Sequence, residues 1–303
     1  MAYLHDDKAQ FQEAIAIAYE QTGIMSQAIE KDYYVTLILR MLSERVSNIV
    51  FKGGTSLSKC HKVIKRFSED IDITIDTTLS QGQKKKIKQA IVECADELGL
   101  VIENLEDTRS RRDYNRYVIA YDSVIPLESS ALKSAVLLET SYTAVSFPTV
   151  LLPVHSYIGD MVEKEAPQIL EDYKLEPFSM KVQGIDRTLI DKVFAICDYY
   201  LQGKVQKHSR HIYDIYKLLP LVPLDDIFQV LFEEVRTVRA KSNICLSAQP
   251  EINIPNTLEK IIEEKVYKRD YEELTVQLLE EQIPYEEAIT ALEIIMHELY
   301  YKK

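Results

Sequence analysis

Two short stretches decide the fold of this chain: FKGGTSLSK at residues 51–59 and RFSEDIDI at residues 66–73. The first begins where a short apolar run over residues 48–51 ends, and it continues with two glycines and two hydroxyl residues: Gly53, Gly54, Thr55 and Ser56. A glycine turn after a strand lets backbone N–H groups approach phosphate oxygens, and a helix start adds the positive end of its dipole. The stretch therefore predicts a strand, a phosphate-contacting turn and a helix.

The second stretch alternates acidic residues with isoleucines, which is typical of a β-strand. Alternation places Asp70 and Asp72 on one strand face and the isoleucines on the other. Two carboxylates on one face supply the oxygen ligands that Mg²⁺ prefers. A glycine turn alone, or an acidic strand alone, is weak support for a site. Their order along the chain, with Gly54 sixteen residues before Asp70, is far more specific.

Outward from these stretches, hydrophobic periodicity predicts an α+β unit followed by a helical one. Helices are expected over residues 8–21, 26–46 and 81–98, and strands over 48–51, 71–75, 101–104, 117–121 and 134–140. Beyond them, prolines at 148, 153, 167 and 177 punctuate a link, and nearly everything later has helical spacing. We expect one domain over residues 1–149 and a helical bundle over residues 150–303, closing the site of the first.

Composition restricts the class of protein. Hydrophobic residues make up 46% and charged residues 28% of 303, which is ordinary for a globular chain and excludes a fibrous or disordered one. No apolar run is long enough to span a membrane, and the acidic start does not resemble a signal peptide, so a cytoplasmic location is expected. The net charge of −12 means that any nucleic acid must bind to a local basic patch.

The glycine turn followed by Asp-x-Asp resembles the nucleotidyltransferase superfamily. The flanking residues are similar to those of the AbiEii/AbiGii toxin family, which includes the MenT group. The resemblance rests on GGTSLSK and RFSEDIDI, on EKDYY at residues 30–34, on TLIDKVFA at 188–195 and on SRHIYDIYKL at 209–218. It runs from about residue 30 to residue 219, and the acidic C-terminal helices match nothing in it.

The resemblance implies a polymerase β-like small mixed sheet with flanking helices, and a Mg²⁺-dependent transfer of NMP from an NTP with release of pyrophosphate. Mn²⁺ is a possible substitute for Mg²⁺. The implied roles are triphosphate contact by Gly53, Gly54, Thr55 and Ser56, metal binding by Asp70 and Asp72, phosphate contact by Lys192, and a place near the nucleotide for Asp214. Asp214 can alternatively orient Lys192.

Three further residues have two interpretations each. Glu139 ends an apolar strand and is a candidate general base for an attacking hydroxyl, although a glutamate at a strand end is ordinarily only exposed. Lys59 and Arg66 flank the two decisive stretches, where they either neutralise nucleotide phosphates or pair with Glu69.

By resemblance, the acceptor is the 3′ end of tRNA and the chain is the toxin of a toxin–antitoxin or phage-defence pair, with a cognate antitoxin. Two basic segments, at residues 84–88 and 109–117, are candidate RNA contacts, and the second interleaves arginines with tyrosines. Two alternatives stay open: a nucleotidyltransferase that modifies a protein or a small molecule such as an aminoglycoside, and a non-catalytic nucleotide-binding module.

Overall fold

The computed structural model describes residues 3–66, 68, 70–75, 77–126, 133–142 and 148–301. The chain divides into two compact units. The sheet unit comprises Met1–Cys60 and Ser68–Val182, and the helical unit comprises His61–Phe67 and Gln183–Lys303. Glu69, one of the partners expected for Lys59 and Arg66, lies outside the described residues.

The sheet unit is built on a seven-stranded mixed sheet with the strand order β3-β4-β5-β2-β1-β7-β6. The strands are β1 (Ile49–Lys52), β2 (Ile71–Ile75), β3 (Val101–Ile102), β4 (Tyr114–Ala120), β5 (Ala135–Ser141), β6 (Thr149–Val154) and β7 (Phe178–Gln183). The strand β2 runs antiparallel to β1 and parallel to β5, while β5 runs antiparallel to β4. Ile71, Ile73 and Ile75 are buried, as their alternation with polar residues predicts.

The described residues of the sheet unit form the α-helices α1 (Lys8–Thr22), α2 (Ser26–Arg45), α3 (Gly53–Lys59), α4 (Gln81–Glu97) and α5 (Tyr157–Glu165). Asp7 caps α1, and a Ser80–Gln83 capping box starts α4, so side chains satisfy the first N–H groups of both helices. The helix α2 is buried along most of its length, including Tyr33, Leu37 and Leu42. The expected α+β class with a mixed sheet and flanking helices is confirmed.

The helical unit contains α6 (Ile185–Leu201), α7 (Arg210–Leu218), α8 (Asp226–Arg239), α9 (Ile254–Glu264), α10 (Lys268–Asp270), α11 (Tyr285–Ala288) and α12 (Thr290–Tyr301). A π-helical turn, Tyr271–Thr275, continues α10. Residues His61–Phe67 join this unit although they lie between α3 and β2 in the sequence. Arg66 forms an antiparallel bridge with Leu279, and Glu280 donates its backbone N–H to the carbonyl oxygen of Lys65.

The division of the chain differs from the border expected at residue 149. The sheet continues through β6 and β7, and the two units divide between Val182 and Gln183. The sequence pattern does not predict the strand β6, because it contains Pro153 and prolines indicate a link between domains. The proline is tolerated because β6 is at the edge of the sheet. No described helix is both long and apolar enough to cross a membrane.

Candidate functional site

The glycine turn and the Asp-x-Asp strand meet at Gly53. Lys52 is the direct partner of Asp72 across β1 and β2, so the following glycine lies beside the aspartate. A Cβ atom at Gly53 would lie 2.0 Å from Oδ2 of Asp72, and the Gly53 φ angle is +77°. Glycine is therefore required at this position for two reasons: the backbone is left-handed, and the carboxylate occupies the space of a side chain.

A row of four charged residues crosses the middle of the sheet. In order of the strands β1, β2, β5 and β4, its members are Lys52, Asp72, Glu139 and Arg116. Directly paired residues of neighbouring strands project from the same sheet face. This charged row thus places Asp72 and Glu139 side by side, between two cations.

Asp70 comes one residue before β2 and is half-buried. Its Oδ1 atom is buried, and within the described part of the chain no group hydrogen-bonds to it. A buried carboxylate oxygen without a partner is costly, and a bound cation relieves that cost. With Asp72 two residues away, this oxygen belongs to a donor set that fits Mg²⁺. The residues of the sheet unit therefore fit the expected metal.

Glu139 has two neighbours that contact its carboxylate. Nε of Arg116 lies 3.7 Å from Oε1 of Glu139, and the hydroxyl of Tyr114 hydrogen-bonds to the same carboxylate. Burial and the negative charge of Glu139 together raise the pKa of Tyr114 above its ordinary value, so this phenol remains a donor. Glu139 keeps 30% of its side chain exposed, which leaves the carboxylate accessible to a substrate hydroxyl.

The hydroxyl residues of the turn have partners inside the protein. Ser56 is fully buried and donates to the carbonyl oxygen of Gly53, and the hydroxyls of Thr55 and Ser68 are 3.0 Å apart. These bonds fix the start of α3. Any contact of this turn with a phosphate must therefore be made chiefly through backbone N–H groups, among them that of Gly54.

Lys59, at the end of α3, is held by the protein itself. Its Nζ lies 2.6 Å from Oδ1 of Asp32 and donates to the carbonyl oxygen of His155 at 2.7 Å. Only 6% of the lysine side chain is exposed. Of the two interpretations of Lys59, the structure favours internal pairing, with Asp32 as the partner. This contact also explains part of the EKDYY segment, because Asp32 anchors the helix that carries the glycine turn.

In the helical unit, Asp214 binds two cations at once. Its carboxylate accepts hydrogen bonds from Nε and Nη2 of Arg66 at 2.6 and 2.8 Å, and from Nζ of Lys192 at 2.5 Å. All three side chains are buried. Burial would raise the pKa of Asp214, but the charges of Arg66 and Lys192 hold it well below its ordinary value. Burial lowers the pKa of Lys192, and Asp214 opposes that effect.

The structure thus brings the expected site residues together in two groups. The sheet unit holds Gly53, Gly54, Thr55, Ser56, Lys59, Asp70, Asp72 and Glu139, and the helical unit holds Arg66, Lys192 and Asp214. Sequence reasoning missed Lys52 and Tyr114 as neighbours of the carboxylates. It also missed the pairing of Arg116 with Glu139, because only the register of β4 on β5 shows it.

Comparison with known proteins gives a family match over most of the chain. The sequence model of a family described as "Nucleotidyl transferase AbiEii toxin, Type IV TA system" matches residues 37–292. The match extends past residue 219 through most of the C-terminal helices, so the range expected from the motifs was too short at that end. The family match begins at residue 37, after the EKDYY segment at residues 30–34.

A solved structure supports the fold. MenT4, a nucleotidyltransferase toxin from Mycobacterium tuberculosis H37Rv, superposes with a TM-score of 0.60 at 15% sequence identity. The alignment covers 95% of this chain and 90% of that one, so the likeness extends over nearly the whole architecture. A search of curated proteins finds no match.

Proposed function

Because this chain belongs to the AbiEii nucleotidyltransferase toxin family, we propose that it transfers an NMP unit from an NTP to the 3′-terminal hydroxyl of tRNA. In this reaction the acceptor oxygen bonds to the α-phosphorus, the bond between the α- and β-phosphates breaks, and pyrophosphate leaves. The observation that carries the proposal is a set of three carboxylates in the sheet unit, Asp70, Asp72 and Glu139, of which Asp72 lies directly against the glycine turn.

Each carboxylate has its own role in the proposed reaction. Asp70 and Asp72 hold Mg²⁺, which when bound neutralises phosphate charge and lowers the pKa of the acceptor hydroxyl. Glu139 accepts the proton of that hydroxyl. Tyr114 and Arg116 contact the Glu139 carboxylate and orient it.

Phosphate contacts in the proposed reaction are made by backbone N–H groups and by a lysine. The N–H groups of the turn at Gly54 bind phosphate oxygens. Lys192 is the phosphate contact that the family resemblance implies, and within the helical unit Asp214 orients its ammonium group. Arg66 supports the same carboxylate from its other side.

An RNA acceptor is supported by a basic surface near Glu139. Lys84 pairs with Asp113, and Lys88 donates to the carbonyl oxygen of Thr108, so the lysines of α4 lie against the loop that carries Arg111 and Arg112. Both arginines are exposed, and the loop leads directly into β4, where the exposed Arg116 faces Glu139. Exposed positive charge thus continues from the loop to Arg116, whose Nε lies 3.7 Å from Oε1 of Glu139.

The decisive experiment is incubation of the full chain with total tRNA, Mg²⁺ and each α-³²P-labelled NTP in turn. We expect one labelled nucleotide on RNA and no label with Asp70→Ala, while Asp226→Asn, an exposed change on α8, serves as the matched control. Label found only on protein, or only on a small molecule, would support the alternative in which the enzyme modifies that class of acceptor. NTP binding without turnover on any acceptor would support the non-catalytic module.

The acceptor is tested separately by removing positive charge. Changing Arg111 and Arg112 to Ser is expected to raise KM for tRNA and to reduce the slope of log KM against log salt by roughly 1.5. The control changes Lys241 and Lys260 of the helical unit, which removes the same charge elsewhere. An unchanged salt slope in the arginine variant contradicts RNA binding at this loop.

The biological proposal follows from the same family. The chain acts as the toxin of a toxin–antitoxin or phage-defence pair, and a cognate antitoxin protects the cell. Expression of the chain alone should arrest growth, and expression of the Asp72→Asn variant should not. Growth arrest by both would separate toxicity from nucleotidyl transfer.

A further inference from the structure

A histidine and two carboxylates converge where β6 leads into α5. His155 follows the strand, and Asp160 and Glu163 lie three residues apart on the helix, which places them on one helix face. Nδ1 of His155 is 2.8 Å from Oδ1 of Asp160 and 3.9 Å from Oε2 of Glu163. One ligand atom from each of the three residues lies within 4.8 Å of the other two.

The second ring nitrogen of His155, Nε2, already has a hydrogen-bond partner. Nε2 lies 2.8 Å from the carbonyl oxygen of Leu175, and since a carbonyl oxygen only accepts, Nε2 carries a proton. Nδ1 is therefore the nitrogen that faces the two carboxylates. Metal-binding histidines characteristically donate their other N–H to a backbone carbonyl, which fixes the tautomer and the ring orientation.

Gly159 makes this arrangement possible. A Cβ atom at that position would lie 2.3 Å from Nε2 of His155 and 2.7 Å from the carbonyl oxygen of Leu175. Any other residue would therefore displace the ring from its carbonyl partner. The imidazole is only 12% exposed, whereas Asp160 and Glu163 are 47% and 55% exposed, so the ring is fixed and the carboxylates can adjust to a ligand.

We propose that His155, Asp160 and Glu163 bind one divalent first-row transition ion such as Zn²⁺, with water completing its shell. An imidazole nitrogen favours this class of ion over Mg²⁺. Two ligands of a tetrahedral ion, each about 2.1 Å from the metal, are about 3.4 Å apart. This value lies between the distances from Nδ1 to Oδ1 of Asp160, 2.8 Å, and to Oε2 of Glu163, 3.9 Å. Two carboxylates also balance the charge of a divalent cation.

The site is distinct from the Asp70–Asp72 carboxylates but is connected to the turn beside them. The carbonyl oxygen of His155 accepts a hydrogen bond from Lys59, the last residue of α3. The ion would therefore stabilise the segment that holds this lysine. The competing arrangement is a second proton on Nδ1, which forms an ion pair with Asp160 and requires no metal.

Isothermal titration of the full chain with ZnCl₂, in the presence of excess Mg²⁺, tests the proposal. We expect one saturable site whose affinity falls at least about tenfold in both Asp160→Asn and Glu163→Gln. The control is Glu165→Gln, an equal charge change on the same helix, which should leave the affinity unchanged. The same Zn²⁺ concentration should also raise the Tm of the wild type more than that of Glu163→Gln.

Two results would overturn the proposal. One is the absence of saturable Zn²⁺ binding, or binding that both carboxylate variants retain. The other is a ¹⁵N spectrum in which Nδ1 of His155 stays protonated when Zn²⁺ is added, since a proton and a metal cannot share that nitrogen. Either outcome would show that His155 and Asp160 form an ion pair and that the three residues do not bind a metal.

Discussion

In the sheet unit, Asp70 has a buried carboxylate oxygen to which no described group hydrogen-bonds, and Glu139 is partly open to solvent. In the helical unit, Asp214 is fully buried and accepts hydrogen bonds from Arg66 and Lys192. The first arrangement leaves coordination capacity for a ligand that the chain does not supply. The second satisfies its charge inside the protein.

The comparison shows two roles for an aspartate, one in ligand binding and one in stabilising the fold. A carboxylate with spare lone pairs costs stability in the folded chain and recovers it on binding a cation. A carboxylate between two buried cations contributes to the fold, because removing it leaves two charges without compensation. Substitutions in the two units should therefore affect different measurements.

The largest effect is expected from Asp72→Asn. Losing a carboxylate that holds the metal should reduce nucleotidyl transfer on the order of 10³-fold, while the free energy of unfolding changes little. Single-turnover transfer and urea unfolding of the same preparation measure both quantities. An equal loss of stability would assign Asp72 to the fold, as is expected for Asp214.

For Asp214→Asn, a large loss of stability is expected together with any loss of transfer. Removing the charge between Arg66 and Lys192 should cost about 3–5 kcal/mol of unfolding free energy, because two buried cations lose their anion. Urea unfolding measures the cost, and hydrogen exchange over α6 and α7 locates it. A variant that is inactive but as stable as Asp226→Asn would contradict the structural role.

Gly53→Ala should produce an intermediate effect on both measurements. A side chain at φ +77° and 2.0 Å from the Asp72 carboxylate must displace that carboxylate, at about 1–3 kcal/mol, and transfer should fall with it. Gly82→Ala is the control, since its Cβ would meet Ser80 at 3.9 Å, an ordinary contact. Equal melting temperatures for the two variants would show that the turn tolerates a side chain.

The smallest effect concerns pH in the helical unit. Burial, followed by the charges of Lys192 and Arg210, lowers the pKa of His211 well below 6.5, so the folded chain binds fewer protons there than the unfolded chain. This contribution to stability is present above pH 6.5 and is lost as the pH falls below it, by at most about 1.4 kcal/mol per pH unit.

Hydrogen exchange over α7 at pH 7.5 and 5.5 measures this loss. In His211→Gln, the difference between the two pH values should be smaller than in the wild type. The α4 segment of the sheet unit provides an internal reference in both proteins. An identical pH response of wild type and variant would exclude His211 as its source.

Much of the sheet unit follows from local sequence patterns. The glycine turn, the alternation in β2 and the capping residues of α4 act over a few positions, and each specifies its own element. The same local patterns are sufficient to single out Asp70 and Asp72 as candidate metal ligands. Local reasoning failed for β6, where Pro153 indicates a break and only the edge position of the strand makes the proline acceptable.

The helical unit depends more on contacts between distant residues. The segment His61–Phe67 has no pattern that assigns it to the helices beyond residue 183, yet Arg66 reaches both Asp214 and Leu279. The pairing of Asp72 with Glu139 is equally non-local, because it needs the parallel register of β2 on β5. Registers of this kind are set by packing of the whole sheet face.

The sequence by itself determined the residue types and their local conformations: the left-handed Gly53, the alternating aspartates and the cations Lys192 and Arg66. Only the tertiary structure decided their partners. Strand register placed Glu139 beside Asp72, and helix packing placed Asp214 between two cations. Chain conformation is set by neighbours in sequence, whereas charges are compensated by neighbours in space, and burial makes that compensation obligatory.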